Sequence, residues 1–539
     1  MSDESGRPSD ESPREHRENP DELLNPEHDR GASEFGAGGT ETDADLNWFA
    51  MVRGKAQQRA TASDRYAWWV LAALLAGLLA LNITFTVFIV ALPQVAGEFH
   101  TSITILTWTM TGPLLAYGLA APLLGKTGDI FGHRRLYLFG LAGAMVSAVL
   151  TALSPNVVML LGARTLDGIQ GAATGTASMA LIMNAFAPED RVKAMGWWTL
   201  VGAGGPVIGV SLGSPIIQFF GWRALFWAQL VLLVIAFAVV AVILPSDRGT
   251  PKELAERKMK AKHDFKTMDW SGSVSLSVGV TAIMLGLSIA PILGWGSIAP
   301  TICWIGGIAS IIFFIRRIRT SANPLIPPKY FTKRNFVMPM VIRGTSNFAY
   351  FGAFYLFPLL MEEGYRYSEG QVGAVAIARP LMFAICSPIA GYTAVKIGER
   401  TATIAGSIVL TLSMILFAAM SVGTSVVVVI VALALSGLGM GVAMPSTSSI
   451  MANEVAAEEM GVMSAAQMLA MQVGEVAGIQ VLITIQQGVA RRRGILGTNN
   501  TTELLSTFHL PFLVGAAVCV IGVVCAFFLR SFQRSGTKQ

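Results

Sequence analysis

Fourteen apolar stretches, most of them 18 residues or longer, follow a hydrophilic head of 66 residues in this chain. An α-helix needs about 20 apolar residues to cross a hydrocarbon core of about 30 Å, because its backbone polar groups must all be paired within the segment. Hydrophobic residues make up 53% of the chain and charged residues only 14%, so a soluble fold could not bury this apolar surface. The pattern therefore predicts an all-α membrane protein with fourteen transmembrane helices.

An internal repeat predicts how these spans are grouped. The turn at 391–400, after the tenth span, resembles the turn at 125–135, after the second, with glycines and basic residues in a similar order. Such a repeat is typical of transporters built from two related halves. The predicted segments are a disordered cytoplasmic tail at 1–66, an N-terminal six-helix bundle at 67–244, a basic cytoplasmic loop at 245–270, an inserted helix pair at 271–316, an amphipathic linker at 317–335, a C-terminal six-helix bundle at 336–530 and a cytoplasmic tail at 531–539.

Basic residues indicate the orientation of the spans. Lys and Arg concentrate just before the first span and in the even-numbered connections, for example at Lys126, Arg191 and Lys396. The positive-inside rule places such loops in the cytoplasm. The opposite loops carry few basic residues, with one exception at 491–493. The sequence thus predicts a multi-pass protein of the plasma (inner) membrane with both termini in the cytoplasm.

The connection at 245–270 carries a run of basic residues that ends just before Asp269 and Trp270. A basic segment beside a membrane favours anionic lipid headgroups. A solvated loop that obeys the general positive-inside bias would have the same composition. Both interpretations are open at the level of the sequence.

The turn at 125–135 combines glycines, which let two helices approach closely, with charges of both signs at a predicted helix end. Such charges could join neighbouring helices in one conformation and release them in another. A phosphate-binding P-loop is excluded, because its pattern needs glycine where the chain has Ala120. The residues that we expect to form this conformational latch are Gly125, Asp129, Gly132, Arg134 and Arg135.

With this turn, the chain resembles the major facilitator superfamily, and within it the fourteen-helix branch of drug:proton antiporters. The turn matches the family pattern at Gly125, Asp129, Gly132 and Arg134, and departs from it at Thr127. The resemblance covers about residues 67–530. It implies a fold of two six-helix bundles plus two inserted helices, and export of amphipathic or hydrophobic small molecules in exchange for protons. Residues of the fifth span that resemble the family's antiporter motif are Gly204, Gly205, Pro206 and Gly209.

The intramembrane charges depart from the family pattern. The first span of this branch usually carries an acid where this chain has Thr84, whereas Asp167 and Glu475 are acids that the pattern lacks. Ionisable side chains at mid-bilayer are costly and therefore mark functional candidates. Arg164 and Asp167 share a helix face, and they could either couple transport to protons or form a static ion pair. Glu475 has no acid–base partner within one turn, which favours a proton site over a water-exposed cavity residue.

Several further side chains are candidates for a substrate cavity near the midplane, and two of them, Arg343 and Arg379, could reach Glu475 from another span. The expected partners are the lipid bilayer, a small-molecule substrate and protons, with no nucleic acid, cofactor or metal. The oligomeric state is left open. The cavity candidates are Thr84, Trp108, Met110, Arg343, Tyr350, Tyr355, Arg379 and Met468.

Two other functions compete with drug export. An exporter of a lipid or lipid precursor on the same fold would keep the latch but would need an apolar cavity that opens sideways. A membrane sensor or scaffold that does not transport could use the long tail, although such a protein has no need of a latch. An enzyme is not expected, because no nucleophile, base and orienting group occur at usable spacing.

Overall fold

The computed structural model describes residues 65–101, 103–106, 108–244, 251–321, 323–495 and 501–530. Nearly all of the predicted N-terminal tail, the predicted C-terminal tail and the start of the basic connection lie outside these ranges. Within them the chain folds into helices without any strand, in agreement with the predicted all-α class.

Fourteen helices of 20 or more residues run through the described part of the chain. By length and hydropathy, ten segments of this part could cross a membrane, and the count of fourteen spans stays a prediction. We number the long helices α1 (Tyr66–Glu98), α2 (Trp108–Phe131), α3 (His133–Ala152), α4 (Val157–Ala185), α5 (Arg191–Phe220), α6 (Trp222–Ile243), α7 (Trp270–Leu293), α8 (Ile298–Thr320), α9 (Arg334–Leu359), α10 (Ala378–Ile397), α11 (Glu399–Ala418), α12 (Val426–Ala452), α13 (Met460–Arg492) and α14 (Thr501–Phe527).

The way the helices pack supports two related halves. In the first half, α1 packs against α5 and α6, α2 against α4, and α3 against α4 and α6. In the second half, α9 packs against α13 and α14, α10 against α12, and α11 against α12 and α14. This is the same pattern displaced by eight helices. Helices α7 and α8 pack against each other, and α7 also contacts α2 and α13.

The turn between α2 and α3 is much shorter than the sequence predicted. Helix α2 continues through Phe131, and Gly132 alone turns the chain with a φ of +97°. Gly398 makes the same turn between α10 and α11 with a φ of +92°. Only glycine adopts such a backbone conformation at little cost, which explains why both copies of the repeat have glycine at this place.

The connection predicted as a basic loop contains a helix, Pro251–Thr267. Its Ala, Lys, Glu, Arg and Met residues are good helix formers, which accounts for the difference. The end of this helix is joined to α7, since the Trp270 indole N–H donates to the Phe265 carbonyl at 3.1 Å. The linker before α9 is joined to the start of α13, because the Tyr330 hydroxyl donates to the Glu459 carboxylate.

Candidate functional site

The latch predicted from the sequence lies between the two halves of the protein. Asp129, in the last turn of α2, accepts hydrogen bonds from the backbone N–H groups of Gly461 at 2.7 Å and Val462 at 3.0 Å. Both donors belong to the first turn of α13, where unpaired N–H groups and the helix dipole favour a negative charge. Asp129 thus caps a helix of the opposite half.

Glycines let α2 and α13 come this close. A Cβ atom at Gly125 would lie 2.6 Å from the carbonyl oxygen of Gly461 and 2.7 Å from the Cβ of Ala465. Both distances are far shorter than ordinary van der Waals contacts, so a side chain at Gly125 would push the two helices apart. The carboxylate of Asp129 reaches the backbone of α13 because of this close approach.

His133, which the sequence analysis did not include among the predicted latch residues, contacts Asp129. Its Nε2 lies 3.1 Å from Asp129 Oδ1, and its Nδ1 is buried without a hydrogen-bond partner. Asp129 and His133 lie on different helices on either side of the turn at Gly132, so helix periodicity could not have revealed the pair. Arg134 extends in another direction, since its Nη2 donates to the Ala241 carbonyl of α6 at 3.0 Å.

The repeat places a different contact at the corresponding position of the second half. Shifting the turn at Gly132 onto Gly398 brings Gly125 onto Gly391 and Asp129 onto Val395. A Cβ at Gly391 would lie 2.8 Å from the Val192 carbonyl of α5, so α10 and α5 approach as closely as α2 and α13. Here the contact is an apolar cluster formed by Val192, Ala394, Ala402, Val395 and Val442. The contact of α5 with α10 thus has no carboxylate cap, and beside the apolar cluster it includes the Tyr392 ring, whose hydroxyl lies 3.5 Å from Trp197 Nε1 and whose centroid lies 5.9 Å from Lys193 Nζ.

Arg164 and Asp167 form an ion pair on α4. The Arg164 side chain is 3% exposed, and its guanidinium stacks on the rings of Phe88 at 5.2 Å and Phe226 at 5.7 Å. Gln170 Nε2 approaches the second carboxylate oxygen of Asp167 at 3.5 Å. The charges therefore neutralise each other within the first half, between aromatic rings of α1 and α6.

Thr84 lies one turn before Phe88 on α1, and its side chain is buried. Its hydroxyl donates to the Leu81 carbonyl at 3.5 Å. The position where the resemblance would place an acid is therefore filled by a neutral group with a partner in its own helix. Of the two acids that depart from the family pattern, Glu475 is buried and Asp167 is partly buried, with its side chain 20% exposed.

Glu475 is buried on α13. Among the described residues, no hydrogen bond or ion pair involves its carboxylate, and Tyr355 of α9 is close enough to interact with it electrostatically. Arg343 instead donates to Ser448 at 2.7 Å and to Gln467 at 3.2 Å. Neither Arg343 nor Arg379 makes the ion pair with Glu475 that the sequence suggested.

Arg379 is fully buried in the second half and has no carboxylate partner in the described part of the chain. Its Nη2 donates to the Tyr350 carbonyl at 2.5 Å, and its guanidinium stacks on the Tyr350 ring at 4.0 Å. Such stacking is favourable for a planar cation. The predicted cavity residues Arg379 and Tyr350 are therefore in contact with each other.

The other cavity candidates lie in different environments. Met110 belongs to a packed cluster of the first half with Phe88 and Trp222, and Met468 belongs to the large central cluster. Trp108 is partly exposed, and Tyr355 is 41% exposed. The structure thus brings Tyr355 towards Glu475 but leaves the two methionines within packed cores.

The glycines of the predicted antiporter motif lie on α5 and face two neighbours. A Cβ at Gly205 would lie 2.7 Å from the Cβ of Asn82 on α1, and one at Gly204 would lie 3.5 Å from the Cβ of Ala384 on α10. The side-chain surroundings of Pro206 and Gly209 lie outside the described part of the structure. Helix α5 therefore joins its own half to the opposite one.

The sequence matches a family model and is similar to known export and resistance proteins. A family model described as Major Facilitator Superfamily matches residues 72–479 and 341–539. The tetracenomycin C resistance and export protein of Streptomyces glaucescens is 26% identical over 415 residues, which cover 77% of this chain and 75% of that protein. The puromycin resistance protein of Streptomyces alboniger is 27% identical over 479 residues, which cover 84% of this chain and 89% of that protein.

A solved structure has a similar fold. The human organic anion transporter MFSD10 (TETRAN) superposes with a TM-score of 0.59 at 17% identity, covering 84% of this chain and 99% of that one. At this identity the similarity concerns the fold alone.

Proposed function

This chain belongs to the major facilitator superfamily and fits its drug-efflux branch, and on that premise we propose that it exports amphipathic or hydrophobic small molecules in exchange for protons. The similarity to proteins named for tetracenomycin C export and puromycin resistance supports this class of substrate. The observation that carries the proton part is Glu475, a buried carboxylate without a hydrogen-bonding partner in the described part of the chain. The family points to a transporter rather than to an enzyme.

The proposed mechanism is alternating access by rocking of the two halves. The halves meet where α2 contacts α13 and where α5 contacts α10. At the same end, Arg191 at the start of α5 donates to the Asn453 side chain after α12 at 2.7 Å. Opening this end requires that all three contacts break, and they re-form when it closes. The Asp129 cap contributes a carboxylate to these contacts, and Arg191 contributes a guanidinium.

Two carboxylates are the proposed proton carriers. Protonation of Asp167 would leave Arg164 without a counter-charge in a low-dielectric environment, which changes the charge of the α4 face. Glu475 lies in the other half, and it can gain or lose a proton without breaking an ion pair. We propose that proton binding at these groups changes the relative stability of the two conformations.

We further propose the architecture in which this mechanism operates. The chain would cross the plasma membrane fourteen times, with both termini and the latch on the cytoplasmic side, as the distribution of Lys and Arg predicts. The two halves would carry the transport cycle, and α7 and α8 would form an inserted pair beside them.

Efflux assays in cells that lack their own exporters test this function. Cells that express the chain should accumulate less of a fluorescent amphipathic compound, and a protonophore should abolish the difference. Purified protein in liposomes should move the same compound uphill only when a pH gradient is imposed. Uphill transport that continues with the protonophore present and without a pH gradient would contradict proton coupling. Failure to transport any amphipathic compound would contradict the export function.

A further inference from the structure

An open groove of about 520 Å³ lies on the surface of the inserted helix pair. It runs along α7 and meets α8 at Ser310, whose hydroxyl donates to the Ser275 carbonyl at 2.9 Å. Val274 and Val278 are nearly half exposed along its floor. The groove is lined by Trp270, Ser271, Val274, Ser275, Val278 and Ser310.

The surroundings of the groove suit the acyl region of a bilayer. Only 17% of the most apolar part of α8 is buried inside the protein. The exposed face of that helix is a row of isoleucines. A helix face of this composition is stable only against lipid or another apolar surface. The exposed isoleucines are Ile302, Ile305, Ile308, Ile312 and Ile315.

One end of the groove carries positive charge. Arg317 lies two turns beyond Ser310 on α8 and is 45% exposed, and its Nε donates to Asp269 at 3.1 Å. Lys266 is exposed at the end of the helix that precedes α7. The ring of Phe265, beside Lys266, contacts the ring of Trp270 at 4.8 Å between centroids. Arg317 therefore lies beside the start of α7, and Lys266 lies four residues before Trp270 in the chain.

The acid at this end does not cancel that charge. Burial raises the pKa of Asp269, but hydrogen bonds from Gly272, Ser271 and Arg317 lower it by more, so that the net pKa lies below its ordinary value. Asp269 is thus a buried carboxylate that caps α7 and neutralises one cation. The exposed cations on the two segments that meet the start of α7, the helix Pro251–Thr267 and the end of α8, are Lys260, Lys262, Lys266, Arg316, Arg317 and Arg319, whereas the described acids there are Glu256, Asp264 and Asp269.

We propose that the groove binds one anionic phospholipid of the surrounding leaflet. The phosphate lies against Lys266 and Arg317, and an acyl chain runs along Val274 and Val278. A free anion would contact only the charged end of the groove. The groove continues into the apolar region, and a charged end followed by an apolar floor matches the headgroup and acyl chain of a lipid. The site is separate from the proposed transport path and does not depend on what the protein exports.

Native mass spectrometry of the full-length protein in detergent tests this site. Phosphatidylglycerol and phosphatidylcholine with identical acyl chains are added together, and the lipids bound per protein are counted. We expect the wild type to retain phosphatidylglycerol in preference to phosphatidylcholine. Lys266→Gln should reduce that preference about fivefold, since one basic residue contributes about that factor at an anionic membrane surface. Arg317→Gln should act in the same direction.

Val278→Trp tests the apolar part of the groove without changing any charge, so the test does not depend on the folding of the charge variants. It should lower the occupancy of both lipids. Two matched controls should behave as the wild type: Lys396→Gln removes an exposed cation of α10, and Ile305→Trp enlarges an exposed apolar residue of α8 outside the groove lining.

Three results would overturn the proposal. The first is equal retention of the two lipids by the wild type. The second is an equal loss of the preference for phosphatidylglycerol in Lys266→Gln and Lys396→Gln, which would show that the preference comes from the general surface charge. The third is displacement of the bound lipid by inorganic phosphate at matched concentration, which would assign the basic end to a free anion.

Discussion

At the scale of single residues, the two buried carboxylates differ in how their charge is compensated. Asp167 has Arg164 and Gln170 as partners on its own helix. Glu475 has no hydrogen-bonding partner among the described residues, and it is buried, whereas the side chain of Asp167 is 20% exposed. A carboxylate without compensation changes its protonation state more readily in response to its surroundings. The two acids therefore lead to different expectations for the same kind of substitution.

Glu475→Gln should remove a titrating group while keeping the size and polarity of the side chain. We expect thermal stability to stay the same or to rise, because the substitution leaves no hydrogen-bonding or ionic partner of Glu475 unpaired. We expect the pH dependence of uphill efflux in liposomes to shift. Glu503→Gln, which neutralises an exposed acid at the start of α14, is the matched control. An unchanged pH profile in Glu475→Gln would exclude this side chain as a proton carrier.

Asp167→Asn should both abolish uphill efflux and destabilise the protein, because Arg164 would keep its charge without a counter-ion. Breaking a buried pair in this way costs about 3–5 kcal/mol. The double variant Arg164→Gln with Asp167→Asn should regain much of this stability and still fail to drive uphill efflux. Recovery of uphill efflux in the double variant would mean that the pair is only structural. Thermal unfolding and liposome transport measure the two effects separately.

At the residue scale, the sequence could identify the charges but not their neighbours. Ionisable residues stand out in apolar spans, so Asp167 and Glu475 could be predicted as buried acids. The partner of Asp167 is on the same helix and followed from spacing. The partners of Arg343 lie on α12 and α13, and no local pattern specifies which helices of a bundle meet.

At the scale of helices, Asp129 acts on α13 through the backbone. We expect Asp129→Asn to weaken the cap by about 0.3–1 kcal/mol, because the charge at the helix N-terminus is lost while a hydrogen-bond acceptor is kept. Substrate binding should be near normal, and efflux should be slow, since the cavity is untouched and one conformation is less stable. Binding and transport assays on the same preparation distinguish the two. Normal efflux would show that the cap has no part in the cycle.

Gly125→Ala should reduce transport more than the small size of the added methyl group suggests. The added Cβ meets the backbone of Gly461 at 2.6 Å, so α2 and α13 must separate, and the Asp129 cap must lengthen. Gly162→Ala is the matched control, because a Cβ there has no neighbour within 4 Å. We expect efflux to fall strongly in the first variant and to be unchanged in the second, at equal expression. Similar activity in both would show that the close approach is not needed.

At the scale of the whole molecule, the repeat at 125–135 and 391–400 predicts two halves with an inserted pair, and the helices α1 to α6 and α9 to α14 show the same pattern of contacts. The sequence was less informative about connections. The helix Pro251–Thr267 was predicted as part of a loop, because hydropathy identifies spans and does not register polar helices. Which end of the bundle is closed could not be predicted either, since under the proposed mechanism the same sequence forms both conformations.

The N-terminal tail belongs to this scale as well, and it lies outside the described residues. Its composition, without any apolar pattern, predicts that it does not dock on the bundle. Deleting residues 2–50, while keeping the basic residues that precede α1, should leave membrane insertion and efflux intact. A shortened protein that reaches the membrane but does not transport would contradict this prediction.

The two latches between the halves differ in thermodynamic character. Closure of α5 on α10 buries apolar groups, so its strength should vary with temperature through a change in heat capacity. The contact of α2 with α13 depends on a carboxylate at a helix end, so ionic strength should weaken it. Two contacts that respond to different conditions need not open at the same moment. The pseudo-symmetric scaffold can therefore follow an asymmetric path, in which one side separates while the other still acts as the pivot.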